Sequence, residues 1–309
     1  MDLSTVIAGV SFRVGLMNAS GALCVTQAEL EELGESDAGA IVTKSMTPLP
    51  REGNPHPRYA AIEGGSINSM GLPNLGYPAY AKLIPELKRF EKPVIASLAG
   101  LKPDDFLEGA RALHAAEPDL IEVNLSCPNL PGEPQIGYDF EGTERLLSAI
   151  REILTIPFGV KLPPYFDPIH HQKIADVLQR VGVAFVTMIN SVGNTLVVDP
   201  EQEMVVIKPK GGFGGLGGRI IKPVALANVR ALWKIWGDRI PIIGTGGIEN
   251  GTDIFEHVLC GASAVQIGTA LVEEGCGVFA RLEREVTACL QRKGYTSLMA
   301  CRGKLREID

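Results

Sequence analysis

Several features common in proteins are scarce or missing in this chain. No uninterrupted apolar run reaches about 18 residues, which excludes a conventional membrane-spanning helix. No Lys/Arg-rich run occurs and the net charge is −7, a balance unsuited to a nucleic-acid backbone, although a local basic pocket for a small anion stays open. The six cysteines (Cys24, Cys127, Cys260, Cys276, Cys289 and Cys301) contain no CxxC pair. Neither a disulfide framework nor a zinc pattern fits, so a reducing, cytoplasmic setting without bound metal is expected. The opening MDLSTVIAGVSFRVG lacks a basic segment followed by a long apolar one, so no signal peptide is expected. Aromatics are few at 6%, whereas Gly (35) and Pro (21) are plentiful, which suits many short joints between strands and helices.

Short apolar runs recur along the chain. They are Gly15–Asn18, Ala40–Lys44, Val94–Leu98, Leu120–Leu125, Phe158–Leu162, Phe185–Ile189, Ile242–Gly246 and Ala264–Gly268. Most are continuously apolar, as strands covered on both faces of a parallel sheet should be. Between and after them, helical spacing predicts Thr26–Gly34, Tyr77–Phe90, Asp104–Ala116, Thr143–Leu154, Ile169–Val181, Ala225–Trp236, Asp253–Leu259 and Val278–Lys293. Eight strands alternating with eight helices indicate an α/β fold, a single (β/α)8 TIM-type barrel. No linker-like stretch divides the 309 residues, so one domain spanning 1–309 is expected. Three connections, Ser45–Gly76, Pro128–Gly142 and Asn190–Pro223, are too long for plain turns. All follow the C-terminal end of a strand, where barrel enzymes place their sites.

The strand ends are unusually polar. They bring Asn18-Ala19-Ser20-Gly21, Lys44-Ser45, Asn124 through Asn129, Lys161, Asn190-Ser191, Gly246-Gly247 and Gly268-Thr269 onto one rim. Unpartnered Asn, Lys and hydroxyl groups are costly to bury, so packing alone does not explain them. The Gly pairs after strands seven and eight match the usual phosphate cradle of barrels, though tight turns also require Gly. Gly212-x-Gly214-x-x-Gly217 has the spacing of a dinucleotide fingerprint but lacks the strand-to-helix context. It reads as a flexible or close-approach segment, with Gly218 near a phosphate. Lys161 at a buried strand end requires an anionic partner or a depressed pKa. Either a salt bridge inside the barrel or electrostatic support of a reduced flavin would explain it. Cys127 opens a loop at the catalytic rim, where a thiolate serves as base or as nucleophile; physics alone does not choose.

At these residues the chain resembles a known family. Asn124-Leu-Ser-Cys-Pro-Asn129 is similar to the signature of dihydroorotate dehydrogenases with Cys in the base position. Thr43-Lys-Ser-Met-Thr47, Arg51-Glu-Gly-Asn-Pro-His-Pro-Arg58 and Asn68-Ser-Met-Gly-Leu-Pro-Asn74 resemble the soluble class 1A branch. The match continues through Gly211–Gly218, Gly246-Gly247 and Ile267-Gly-Thr-Ala270, nearly the whole chain. The resemblance implies FMN as cofactor, fumarate as oxidant, a homodimer, no membrane anchor, and oxidation of dihydroorotate to orotate in pyrimidine biosynthesis. It implies that Cys127 removes the C5 proton while hydride leaves C6 for flavin N5. Lys44, Asn68, Met70, Gly71, Leu72, Asn124, Asn129, Asn190 and Ser191 would hold the substrate. FMN would contact Ala19, Ser20, Gly21, Lys44, Ser45, Asn68, Asn124, Lys161, Ile189, Gly218, Gly246, Gly247, Gly268 and Thr269. The loop Pro128–Gly142 would close over the substrate with Gly132 and Gly137 as hinges. Three other readings remain: a class 1B-like subunit passing electrons to NAD through a partner, a dihydropyrimidine dehydrogenase-like module, and a non-redox phosphate-binding aldolase or isomerase barrel.

Overall fold

The computed structural model describes residues 1–126 and 135–308. Among them, parallel strands β1 (Leu16–Asn18), β2 (Ile41–Val42), β3 (Val94–Leu98), β4 (Leu120–Asn124), β5 (Phe158–Lys161), β6 (Val186–Met188), β7 (Ile242–Thr245) and β8 (Ala264–Ile267) form one sheet. Their order is β1-β8-β7-β6-β5-β4-β3-β2, which leaves only the β1–β2 seam without a regular ladder. Two local devices bridge that seam. The Gly39 N–H donates to the Leu16 carbonyl at 2.7 Å, and a side chain at Gly39 would strike the Val14 carbonyl. The Asn18 side chain accepts from the Val42 N–H at 2.9 Å and donates to the Val42 carbonyl at 2.7 Å. An amide side chain thus replaces the missing backbone pair. The expected (β/α)8 barrel is the fold observed.

Helices lie between the strands and cover the sheet. They are α1 (Gln27–Glu35), α2 (Tyr77–Leu87), α3 (Pro103–Ala116), α4 (Phe140–Ile153), α5 (Pro168–Val181), α6 (Lys222–Trp236), α7 (Gly251–Cys260), α8 (Thr269–Glu274) and α9 (Val278–Lys293). Local chemistry sets their starts. Thr26 and Glu29 form a capping box on α1, as Asn250 and Asp253 do on α7. The helix expected from Thr143 begins three residues earlier because the Asp139 carboxylate accepts from the Gly142 N–H. The helix expected from Ala225 begins at Lys222, since Pro223 fits a first turn, where its missing N–H costs nothing. The six-residue α8 was not foreseen.

Side chains alternate along the strands. One set faces the helices and includes Leu16, Ile41, Val94, Ile121, Val123, Val160 and Val265. The other set faces inward and forms a separate apolar layer of Met17, Ala40, Val42, Ile95, Leu120, Phe185, Ile243 and Ala264. Ile7 and Phe12, from the antiparallel hairpin Thr5–Ile7/Val10–Phe12, join this layer. At the opposite, C-terminal end, two of the long connections, for which no strands were expected, build a four-stranded antiparallel sheet. Its strands are Val192–Leu196, Phe213–Gly217, Gly65–Asn68 and Tyr59–Ile62, in that spatial order. The Gly-rich fingerprint segment is therefore a strand. Its close-approach character holds, because a Cβ at Gly215 would lie 2.3 Å from Ser191 Oγ and one at Gly214 2.6 Å from the Asn68 carbonyl.

Candidate active site

Between the strand ends and the antiparallel sheet lies a cavity of about 740 Å³. Ala19, Ser20 and Gly21 after β1, Lys44 and Ser45 after β2, Asn124 on β4 and Lys161 on β5 line one side. Ile189, Asn190 and Ser191 after β6, Gly246 and Gly247 after β7, and Gly268 and Thr269 after β8 continue the wall. Asn68, Met70, Gly71, Leu72 and Gly218 come from the covering connections. Every described residue expected from the sequence to hold substrate or FMN thus lines this cavity, whereas Cys127 and Asn129 lie outside the described residues, as does the expected hinge Gly132.

The polar wall is internally bonded. Asn124 Nδ2 donates to Ser45 Oγ at 3.1 Å, and Asn124 Oδ1 accepts from the Ser126 N–H at 3.1 Å and from Asn190 Nδ2 at 3.3 Å. Ser45 Oγ lies 2.9 Å from Ser97 Oγ, and Asn190 Oδ1 accepts from the Ser191 N–H. These bonds fix which edge each amide presents. On the cover, Asn68 Nδ2 donates to the Gly215 carbonyl at 3.2 Å. The carbonyls of Met70, Gly71 and Leu72 are engaged by Asn54, Arg51 and Asn74, respectively.

Two glycines leave the wall open. A Cβ at Gly21 would have only Lys44 Nζ within reach, at 3.9 Å, and one at Gly268 only Ala19 Cβ, also at 3.9 Å. Side chains there would project into the space a ligand needs. Gly247 has a different reason: at φ +75°, its Cβ would lie 2.4 Å from Lys222 Cβ on α6. The tight-turn explanation of the glycine pairs thus applies to Gly247, whereas Gly268 borders open space. Thr269 opens α8 with its hydroxyl 3.4 Å from Ser66 Oγ.

Lys161 is 4% exposed, and its Nζ donates to Gln266 Oε1 at 2.8 Å. Burial pushes its pKa down while the nearby Glu122 opposes that shift. Cys24, buried close by, is a poor nucleophile because burial pushes its thiol up to about 12. Burial likewise raises Cys260, Cys276 and Cys301, each to about 11. Gly137, expected as a hinge, is held on both sides. Its N–H donates to the Leu125 carbonyl at 3.0 Å and its carbonyl accepts from the Tyr165 hydroxyl.

Ser97, Glu122, Thr187 and Gln266 were not singled out, although they join this polar layer. Each is a polar residue inside a run read as apolar, two positions above an inward apolar residue of the same strand. That two-residue offset was the available signal.

The fold resembles that of a dihydroorotate dehydrogenase of Eimeria tenella crystallised with ferulenol (TM-score 0.82, 22% identity, 98% of this chain and 88% of that one). A Streptococcus uberis protein named putative dihydroorotate dehydrogenase A (fumarate) is 52% identical across all of both chains. The dihydroorotate dehydrogenase A (fumarate) of Lactococcus lactis subsp. cremoris is 49% identical over 99% of this chain and 100% of its own. The dihydroorotate dehydrogenase (fumarate) of Kluyveromyces lactis is 51% identical over 95% of each. The family model described as dihydroorotate dehydrogenase matches residues 2–290, and the chain belongs to that family.

Proposed function

We propose that the chain, acting as one FMN-binding barrel domain, oxidises dihydroorotate to orotate and passes the electrons to fumarate. The observation that carries the reading is the cavity wall itself: a buried Lys161 lines the same cavity as Gly21 and Gly268, whose missing side chains leave room for a flat ligand. The fumarate-dependent relatives, about half identical over nearly full length, support the choice of substrate and oxidant.

The residues present fit FMN. Lys161 would place positive charge near the reduced ring, and Gly218, Gly246, Gly247, Gly268 and Thr269 would hold the phosphate through backbone N–H groups and a hydroxyl. Ala19, Ser20, Gly21, Ser45 and Ile189 would border the ring. When bound, FMN supplies a hydride acceptor for the substrate and a hydride donor for fumarate.

The chain's own groups do the rest. Asn68, Asn124, Asn129 and Asn190 offer amide edges that match alternating C=O and N–H groups on a pyrimidine ring. Lys44 would face the carboxylate, assisted by Met70, Gly71, Leu72 and Ser191. Lys44, Asn68 and Asn124 would serve both substrate and cofactor. Cys127 would take the C5 proton, the role its family motif assigns. Orotate production places the enzyme in pyrimidine biosynthesis, and a cytoplasmic homodimer is the form proposed. Among the described residues no helix is long and apolar enough to cross a membrane.

An anaerobic visible spectrum tests the reading. A flavin band should bleach with dihydroorotate and return with fumarate. Bleaching without return would move the electrons to another acceptor, and a colourless chain that does not take up FMN would defeat the proposal.

A further inference from the structure

Below the cavity floor lies a carboxylate that the proposed chemistry does not use. Glu122 is completely buried on β4, two residues before Asn124 and on the same face of the strand. Its Oε2 accepts from Gln266 Nε2 at 2.7 Å and from Thr187 Oγ1 at 2.7 Å. Among the described residues, nothing donates to its Oε1. Gln266 in turn accepts at Oε1 from Lys161 Nζ at 2.8 Å. Four strands, β4, β5, β6 and β8, each contribute one member.

The orientation of the central amide is forced. An ammonium only donates and a carboxylate only accepts, so Gln266 must turn its carbonyl to Lys161 and its NH2 to Glu122. Its dipole then favours both charges at once. A direct Glu122–Lys161 ion pair would draw Nζ down into the barrel. The interposed amide couples the charges while leaving Nζ at the cavity wall. As a mere core filler, this set would be inferior to apolar residues, since burying separated charges is costly.

We propose that Glu122 and Gln266 are positioning residues for Lys161, the carboxylate keeping its ammonium protonated and the amide holding it at the cavity wall. Among the described residues, the titratable groups whose charge acts on Lys161 are Glu122 from β4, Lys44 from the end of β2 and Cys24 from the connection after β1. Lys44 opposes protonation, and Cys24 stays a neutral thiol in the working pH range. Among the described residues, Glu122 is therefore the counter-charge on which Lys161 depends. The purpose of this coupling rests on the flavin reading of the cavity; the coupling itself does not.

The test is a titration of Lys161 in the full chain as purified, followed by NMR of 13Cε-labelled lysines and assigned with Lys161→Met. In Glu122→Gln the Lys161 midpoint should fall by about one pH unit, which is about tenfold more neutral amine at the same pH below both midpoints. Gln266→Met, which keeps the carboxylate but removes the relay, should shift it in the same direction and serves if the first variant does not fold. In the flavin-loaded protein, Glu122→Gln should make the midpoint potential fall more steeply with pH than in the parent chain. Adding Lys161→Met should abolish that difference, a result that a purely structural role of Glu122 would not give. An unchanged Lys161 midpoint in a folded variant overturns the proposal. A colourless protein would instead count against the flavin reading and leave the lysine titration to decide.

Discussion

The interior of the barrel changes character over one two-residue step along its strands. At the N-terminal level the inward residues are Met17, Val42, Ile95, Leu120, Phe185, Ile243 and Ala264, sealed by Ile7 and Phe12. Two residues on, the same strands carry Ala19, Lys44, Ser97, Glu122, Thr187, Thr245 and Gln266, all buried, with Lys161 beside them on β5. The backbone geometry is shared, so the difference lies in side chains alone. The lower level gains stability from burying apolar area. The upper level consumes some of it, because its polar groups must be satisfied by one another. The layout teaches a division of labour: one level supports the fold, the next holds a reactive surface at fixed geometry.

Substitutions can break or sharpen this contrast. The largest effect on chemistry should come from Cys127→Ala, the proposed base. Turnover should drop ~10²–10⁴-fold, the usual worth of a positioned base, while FMN stays bound and thermal stability barely moves. Steady-state rates together with the flavin spectrum check it; loss of the flavin in that variant would contradict the assignment of Cys127 as base. Phe12→Ala in the floor should do the opposite. A fully buried aromatic removed from a packed core costs ~3–5 kcal/mol, yet turnover per folded, flavin-loaded chain should be unchanged. Urea unfolding alongside activity separates the two outcomes.

A third prediction concerns a neutral group under the rim. His257 is fully buried on α7, with Nε2 3.0 Å from the Gly246 carbonyl and no hydrogen-bond partner for Nδ1 among the described residues. Burial pushes its pKa down to about 4, with Asp253 and Lys222 as its charged neighbours. The unfolded chain, with an ordinary imidazole, binds more protons between that value and about 6.5. Stability is therefore full above about pH 6.5 and is lost as the pH falls toward 4, by up to about 3 kcal/mol from this group. His257→Gln, which can still donate to Gly246, should flatten that part of the pH–stability curve. An identical curve in both proteins would remove His257 from the account.

The contrast also explains what the sequence disclosed. The eight barrel strands were legible because helix-facing and lower inward positions are both apolar, giving unbroken runs. The same feature concealed Glu122 inside Leu-Ile-Glu-Val-Asn and Gln266 inside Ala-Val-Gln-Ile, whose meaning depends on a partner some hundred residues away. Rim residues such as Lys44, Asn124 and Lys161 stood out at or next to the end of a run. The antiparallel cover did not, because Phe213–Gly217 is mostly glycine and shows no alternation. Its strand character comes from pairing with Gly65–Asn68, a long-range contact. Helix starts were displaced by capping residues such as Asp139, which act before the first apolar position.

The smallest effect expected is at the barrel seam, and it connects the two levels. Asn18 is fully buried and supplies both hydrogen bonds that join β1 to Val42. In Asn18→Ala the Val42 N–H and C=O lose those partners inside the wall, and a small cavity opens. Water entering that cavity would recover part of the loss, so about 2 kcal/mol is expected rather than the full penalty of two orphaned groups. Val42 belongs to the apolar level and Lys44, two residues on, to the polar one. A loosened seam should therefore also weaken FMN binding, by a few-fold, without affecting the floor. Asn18→Leu distinguishes the causes, because it fills the volume but restores neither hydrogen bond. If Leu rescues stability and flavin affinity, packing closes the seam; if it behaves like Ala, the amide does, and the barrel is closed by a side chain acting as backbone.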